Sequence, residues 1–131
     1  MGEILSIRVR REPGHVLVTA AGEIDIATAP RLHDQLAAIL ASGSWHLIVD
    51  LDQVSFIDAA GLSVLSLAAG QATARGGSLH LVCARPRTRR LLAITGLDRR
   101  IPVAQTLAEA QAALPRDEGT PERRQPREGS P

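Results

Sequence analysis

The stretch SFIDAAGLSVL, residues 55–65, places a single carboxylate between two apolar runs. Asp58 is followed at once by Ala59, Ala60 and Gly61, whose side chains are minimal. An Asp just before a helix accepts one of the unpaired backbone N–H groups there, which stabilises the helix by about 1 kcal/mol relative to Ala. The partly positive start of a helix also suits an anion or the surface of a partner. The residue types therefore leave two interpretations of Asp58 open, a simple helix cap and a binding site.

The rest of the sequence contains no motif that indicates catalysis, nucleotide binding or metal binding. It contains no G-x-x-x-x-G-K-[ST] phosphate loop, no G-x-G-x-x-G fingerprint and no G-x-S-x-G elbow. The histidines fall in different predicted elements, without the close spacing of a metal-binding pair, so we expect no metal and no other cofactor. An enzyme that uses Asp58 as an acid or base is the weakest hypothesis, because one carboxylate without a second catalytic group rarely suffices.

The overall composition fits one domain with an aliphatic core. Of the 131 residues, 44% are hydrophobic but only 2% are aromatic, so Leu, Ile, Val and Ala must fill the interior. Few aromatics and a net charge of +1 argue against a nucleic-acid partner, and the basic run at residues 85–90 fits a solvated helix face. The single Cys83 excludes an intrachain disulfide, and we expect it to be buried. Without a signal-like segment or an apolar run of roughly 20 residues, we expect a cytoplasmic protein with no membrane insertion.

Apolar periodicity predicts that strands and helices follow the order ββαβαβαβα. The first two strands form a hairpin around the Pro13-Gly14 turn, and each later strand is separated from the next by a helix. Helical crossovers make strands parallel, so we expect an α/β fold with a mainly parallel, mixed sheet of four to five strands and about four helices. The predicted strands cover residues 4–11, 16–22, 46–51, 78–84 and 100–103, and the predicted helices start at or just after Thr28, Asp58, Pro86 and Thr106.

The composition changes sharply at residue 115. Residues 115–131 hold four prolines, four arginines and four acids but no large apolar side chain. Such a segment buries too little surface to offset the entropy lost on ordering. We therefore expect a folded domain over residues 1–114 and a disordered tail over residues 115–131.

Four pieces of the sequence, taken in order, resemble the STAS domain family, and in particular the bacterial anti-sigma factor antagonists that act by partner switching. The pieces are GEIDIATAPRL at residues 22–32, LIVDLDQVSFID at 47–58, DAAGLSVL at 58–65 and RRLLAITGLDRRIPVAQTLAEAQAAL at 89–114. The third resembles the family's signature Asp-Ser-Ser/Thr-Gly-Leu. The resemblance implies a STAS-like fold, a binding protein that is not an enzyme, and a partner that is both an anti-sigma factor and a serine kinase.

The resemblance also implies a regulated binding site, and this sequence departs from it. In the family, the kinase phosphorylates a Ser or Thr of the signature, and the phosphorylated antagonist is released. Ala59 and Ala60 stand at the matching positions and offer no hydroxyl. Partner contacts are implied at Glu23, Asp25, Thr28, Asp58, Gly61, Leu62 and Ser63. Thr28 also fits a plain helix cap, and Leu62 also fits a core position.

Without those hydroxyls, we expect this protein to stay in the state that resembles the unmodified antagonist. Ser55 and Ser63 are the nearest hydroxyls, and we expect both to bond local backbone instead of accepting phosphate. An accessory STAS domain, in a lipid-transport complex or a multi-protein signalling assembly, is the alternative hypothesis. The sequence names neither the anti-sigma factor nor the oligomeric state.

Overall fold

The computed structural model describes residues 4–115, which form a mixed five-stranded sheet with helices against both of its faces. The strands are β1 Ser6–Glu12, β2 His15–Ile24, β3 His46–Ile57, β4 Ser78–Val82 and β5 Val103–Ala104, in that order across the sheet. The helices are α1 Ala29–Ala41, α2 Ala59–Ala74, α3 Pro86–Ile94 and α4 Leu107–Ala113, with a 3-10 turn at Leu97–Arg99. This arrangement confirms the predicted fold class. The predicted tail, apart from Pro115, lies outside the described residues.

The buried residues of the central strands divide between two apolar layers. On one face of β2, Val16 and Val18 join the main core with the buried sides of α1, α2 and α3. On the other face, Leu17 and its neighbour Ile48 of β3 pack under α4. Parallel strands that are covered on both faces have nearly continuous apolar sequences, which explains residues 46–51.

β5 covers Val103–Ala104 instead of the predicted residues 100–103, and the prediction also misplaced the end of β3. The prediction ended it at Leu51 and placed a loop after it, whereas the strand runs on to Ile57 and stays paired with β2 as far as Ile24. Two register shifts interrupt this pairing, and the buried Val54 and Ile57 stand three residues apart instead of two. The strict alternation that identifies a strand is therefore lost in its second half, although the pairing continues.

Turns and caps elsewhere follow the sequence more closely. Gly96 follows the end of α3 with φ +78, and the buried Leu97 comes next, which is the pattern typical of a Schellman-type helix end. The hydroxyl of Thr106 accepts the N–H of Glu109 at 3.1 Å, and the Glu109 carboxylate accepts the N–H of Gln105 at 2.9 Å. This reciprocal pair confirms the predicted start of α4, with the second bond one residue earlier than in a standard capping box.

Candidate functional site

The candidate site lies at the edge of the sheet where β2 and β3 both end. Ile24, the last residue of β2, pairs in parallel register with Ile57, the last residue of β3. The chain enters α1 through residues 25–28 and α2 through Asp58, so the two helix starts are neighbours. In open α/β sheets, ligands bind beyond the carboxyl ends of the strands. The fold therefore brings together the two segments that carry most of the predicted site residues.

Asp58 caps α2, as the sequence predicted. Its Oδ1 atom accepts the N–H groups of Ala60 at 2.9 Å and Gly61 at 3.3 Å. The carbonyl oxygen of Asp58 accepts the N–H of Leu62 at 3.0 Å. The Asp58 side chain and backbone therefore occupy the N–H groups of Ala60, Gly61 and Leu62. These three amides are consequently not open to an anion, which favours a partner surface over an anion site at the helix start.

Gly61 and Leu62 support the helix start from inside the fold. A Cβ atom added to Gly61 would lie 2.6 Å from Cγ2 of Ile24 and 2.7 Å from Cγ1 of Ile57, too close for any ordinary contact. Glycine at this position therefore lets α2 pack tightly on both strand ends. Leu62 is 9% exposed and belongs to the main core, which agrees with the core interpretation of this residue.

The outer surface at the start of α2 carries only small side chains. Ala59 and Ser63 are exposed, and Asp58 and Ala60 are partly exposed. We call these four residues the α2 tip. Because no loop within residues 4–115 buries the α2 tip, another macromolecule can reach it, as the binding interpretation requires.

The loop before α1 is folded by its own side chains. The hydroxyl of Thr28 donates to the carbonyl oxygen of Glu23 at 2.8 Å and accepts the N–H of Asp25 at 2.9 Å. Oδ1 of Asp25 accepts the N–H groups of Ala27 at 2.9 Å and Thr28 at 3.0 Å. Thr28 occupies the N-cap position of α1, but the prediction that its side chain caps the helix is wrong. Its backbone angles are helical and not extended, so its hydroxyl bonds the preceding loop instead.

Two exposed apolar residues near the site were not predicted from the sequence. Ile26 is 80% exposed in the loop before α1, and Phe56 is 49% exposed at the end of β3. The sequence signal for Ile26 was a large apolar residue in a loop. Phe56 gave no such signal, because the prediction ended β3 before this residue. Glu23 is partly exposed, and within residues 4–115 its carboxylate makes no hydrogen bond or ion pair.

The two hydroxyls nearest to the missing phosphorylation positions have different surroundings. The Oγ of Ser55 donates to the carbonyl oxygen of Gly22 at 3.2 Å, so it bonds the backbone of the neighbouring strand β2 and not the local backbone that was expected. Ser63 makes no side-chain hydrogen bond among the described residues, so the same expectation is wrong for Ser63. Its position, one turn into α2 and facing outward, leaves its hydroxyl in solvent.

The described part of the chain shows no metal-binding cluster. Within residues 4–115, no group of three His, Cys, Asp or Glu side chains is placed to hold a metal ion. None of the helices in this range has the length and apolar character needed to cross a membrane. Cys83 is buried, as predicted, and its burial raises the pKa of the thiol.

A mixed five-stranded sheet with a capped helix start at the ends of β2 and β3 is the architecture of a STAS domain. Residues 6–110 match the STAS domain family, and the chain therefore belongs to that family. This confirms the family that the four sequence pieces indicated.

Three relatives describe the kind of STAS domain that this chain resembles. It is 34% identical to the anti-sigma-B factor antagonist of Bacillus subtilis over 93 residues, which cover 71% of this chain and 84% of that protein. It is 27% identical to the anti-sigma-F factor antagonist RsfB of Mycobacterium tuberculosis over 106 residues, 81% of this chain and 86% of that protein. It also resembles the crystal structure of an anti-sigma factor antagonist from Mycobacterium paratuberculosis, with a TM-score of 0.79 and 32% identity over 85% of this chain and 94% of that chain.

Proposed function

We propose that this protein is an anti-sigma factor antagonist that binds its anti-sigma factor through the α2 tip and the loop before α1. Membership of the STAS domain family and the likeness to antagonists from several bacteria support this proposal. The observation that carries it is the exposed and firmly capped start of α2, where Ala59 stands uncovered beside the strand ends.

The loop before α1 supplies the second part of the proposed interface. Its hydrogen bonds through Asp25 and Thr28 hold it in one shape, so the exposed Ile26 is already placed for contact. A surface that is ordered before binding loses less conformational entropy when a partner docks. Glu23 offers a free carboxylate at the side of this loop, while Gly61 and Leu62 contribute by holding α2 in place.

The proposed interaction lacks the off-switch of the family. A phosphate adds a charge of about −1.5 to −2, which beside Asp58 would repel a closely packed partner. Ala59 and Ala60 carry no hydroxyl, so this reaction has no acceptor at either position. The protein consequently stays able to bind while a kinase and ATP are present. The proposed partner is an anti-sigma factor of the serine-kinase type.

The experiment measures the affinity of the purified protein for candidate anti-sigma kinases by calorimetry. We expect Ala59→Asp to weaken binding about tenfold or more, a loss of roughly 1.4 kcal/mol. An Asp at the first position of a helix suits the helix dipole, so this change spares the fold. The matched control is Ala38→Asp on the exposed side of α1, which should bind like the wild type. Equal affinities of all three proteins would place the interface elsewhere.

A second arm tests the missing switch. The protein is incubated with a kinase that binds it, Mg²⁺ and ATP, and is then analysed by mass spectrometry and calorimetry. We expect no added phosphate and unchanged affinity. Phosphate on Ser55 or Ser63 would contradict a permanently binding state. Failure to bind any of the kinases, together with capture of transport-complex subunits, would favour the accessory STAS domain.

A further inference from the structure

A second surface beside the α2 tip is a groove between the end of β3 and helix α3. Its volume is about 360 Å³. Its walls include Phe56, Ile57, Arg87, Arg90, Leu91 and Ile94. We call this concave surface the α3 groove.

The α3 groove exposes apolar side chains that a free monomer would normally bury. Phe56 is 49% exposed and Ile94 is 74% exposed, one on each wall. Ile57 and Leu91 lie deeper and pack against the main core. Large apolar side chains that face each other across an exposed depression are a feature of interaction sites.

Helix α3 presents a regular stripe of residues to the groove. Arg87, Arg90, Leu91 and Ile94 are spaced i, i+3, i+4 and i+7, which places them on one face of the helix. Leu92, which is fully buried, packs into the core from another face. The face of α3 that lines the groove is therefore amphipathic, because it carries two cations and two apolar side chains.

The arginines of this region divide into two groups. Arg85 donates from Nε to the carbonyl oxygen of Asp52 at 2.7 Å, and Arg89 donates from Nη1 to that of Cys83 at 2.8 Å. Arg87 and Arg90 form no hydrogen bond and no ion pair within residues 4–115. No acidic side chain lines the groove. Arg87 and Arg90 are solvated, as expected for this run, and they also flank an apolar depression without a compensating acid.

We propose that the α3 groove docks an acidic, amphipathic segment of a partner protein. Its apolar side chains would cover Phe56 and Ile94, and its carboxylates would pair with Arg87 and Arg90. An apolar helix face in a hydrophobic groove is a recurrent mode of peptide recognition, and complementary charges at the rim fix its orientation.

The composition of the α3 groove favours such a segment over other occupants. The phosphates of a nucleic acid would pair with the arginines. Its bases, however, could stack on only one aromatic ring, because the other apolar side chains that line the groove are aliphatic. Residues 116–131 of this chain have acids but no large apolar side chain with which to fill the groove. The groove adjoins the α2 tip, since Ile57 directly precedes Asp58, but the two surfaces have no residue in common.

The test is an NMR titration of the ¹⁵N-labelled full-length protein with two synthetic helical peptides. Both have about 14 residues, roughly four turns, with the same leucines, and they differ only in carrying Glu or Lys at the flanking positions. We expect the Glu peptide to shift the amide signals of Phe56 and of residues 87–94. The Lys peptide should bind about tenfold more weakly or not at all, because its charges face two arginines.

Variants separate this docking from general electrostatic attraction. Arg87→Glu/Arg90→Glu should reduce the affinity for the Glu peptide about tenfold. The control Arg99→Glu/Arg100→Glu makes the same change of net charge at exposed arginines outside the groove and should bind like the wild type. The proposal is overturned if the Glu peptide causes no shifts at these residues or if both peptides bind equally. It is also overturned if a single-stranded RNA of similar length binds this surface more tightly than the Glu peptide.

Discussion

The N–H group of Asp58 donates a hydrogen bond of 3.1 Å to the carbonyl oxygen of Ile24, which joins the start of α2 to the end of β2. One residue earlier, the carbonyl oxygen of Glu23 accepts the hydroxyl of Thr28 and so anchors the loop before α1. Both halves of the candidate site are therefore fixed to the last two residues of one strand. Because the Asp58–Ile24 bond involves backbone atoms alone, changes on the outer surface can alter binding without moving the start of α2.

The side chain of Asp58 should contribute measurably to stability. Asp58→Ala removes the acceptor for the N–H groups of Ala60 and Gly61, so the free energy of unfolding should fall by about 1 kcal/mol. Urea denaturation followed by circular dichroism measures this change. Asp58→Asn keeps a side-chain oxygen at the cap and should lose less. If Asp58→Ala were as stable as the wild type, the cap would not hold the start of α2.

Two glycines of α2 should respond to alanine with opposite signs. At Gly61 the new methyl group collides with Ile24 and Ile57, and such overpacking costs about 1 to 3 kcal/mol. At Gly70 nothing lies within 4 Å of the new Cβ, so Gly70→Ala should stabilise the helix by about 0.5 to 1 kcal/mol. Thermal unfolding of the two variants tests the pair. A stabilised Gly61→Ala variant would contradict the tight contact between α2 and the strand ends.

The order of the elements could be predicted because its signals are local. Pro13-Gly14 marks a turn, Pro86 marks a helix start and Gly96 marks a helix end without reference to the rest of the chain. The second half of β3 could not be predicted in this way. Its identity depends on pairing with β2 across two register shifts, and these shifts move buried residues out of the simple alternation.

The candidate site could be predicted only in part for the same reason. The cap at Asp58 involves residues two and three positions later, so the sequence alone indicates it. The hydroxyl of Thr28 could bond either the first turn of α1 or the preceding loop. The geometry of the loop places the carbonyl oxygen of Glu23 within reach, so the hydroxyl bonds the loop. The need for glycine at position 61 arises from two strands that are distant in sequence. Likewise, the α3 groove exists only because the end of β3 and helix α3 meet in the fold.

His80 should make the stability of the protein depend on pH. Burial lowers the pKa of His80, and the nearby His46 lowers it further, so the folded state favours the neutral ring. The unfolded chain takes up a proton near the ordinary pKa of 6.5. The stability that neutral His80 contributes to the folded state is therefore fully present above the unfolded pKa. It is lost as the pH falls through that value toward the lower pKa of His80 in the folded state.

Urea denaturation of the wild type and of His80→Gln measures this contribution. Between about pH 7.5 and pH 5.5, the free energy of unfolding should fall further in the wild type than in the variant. Above about pH 7.5, where His80 is neutral in both states, the two proteins should show the same pH dependence, which serves as the internal control. Equal losses in the acidic range would mean that His80 does not cause the effect.

Returning a hydroxyl to the α2 tip should restore the missing switch. Ala59 is exposed whereas Ala60 is only partly so, and Ala59→Ser is therefore the variant that a kinase reaches more easily. With a binding anti-sigma kinase and ATP, Ala59→Ser should gain one phosphate and then lose affinity about tenfold or more, because the added charge of about −1.5 to −2 lies beside Asp58. Ala38→Ser, on the exposed side of α1, is the control and should gain none. Mass spectrometry and calorimetry on the same samples decide the outcome, and a phosphorylated Ala59→Ser protein that still binds tightly would show that the α2 tip is not at the interface.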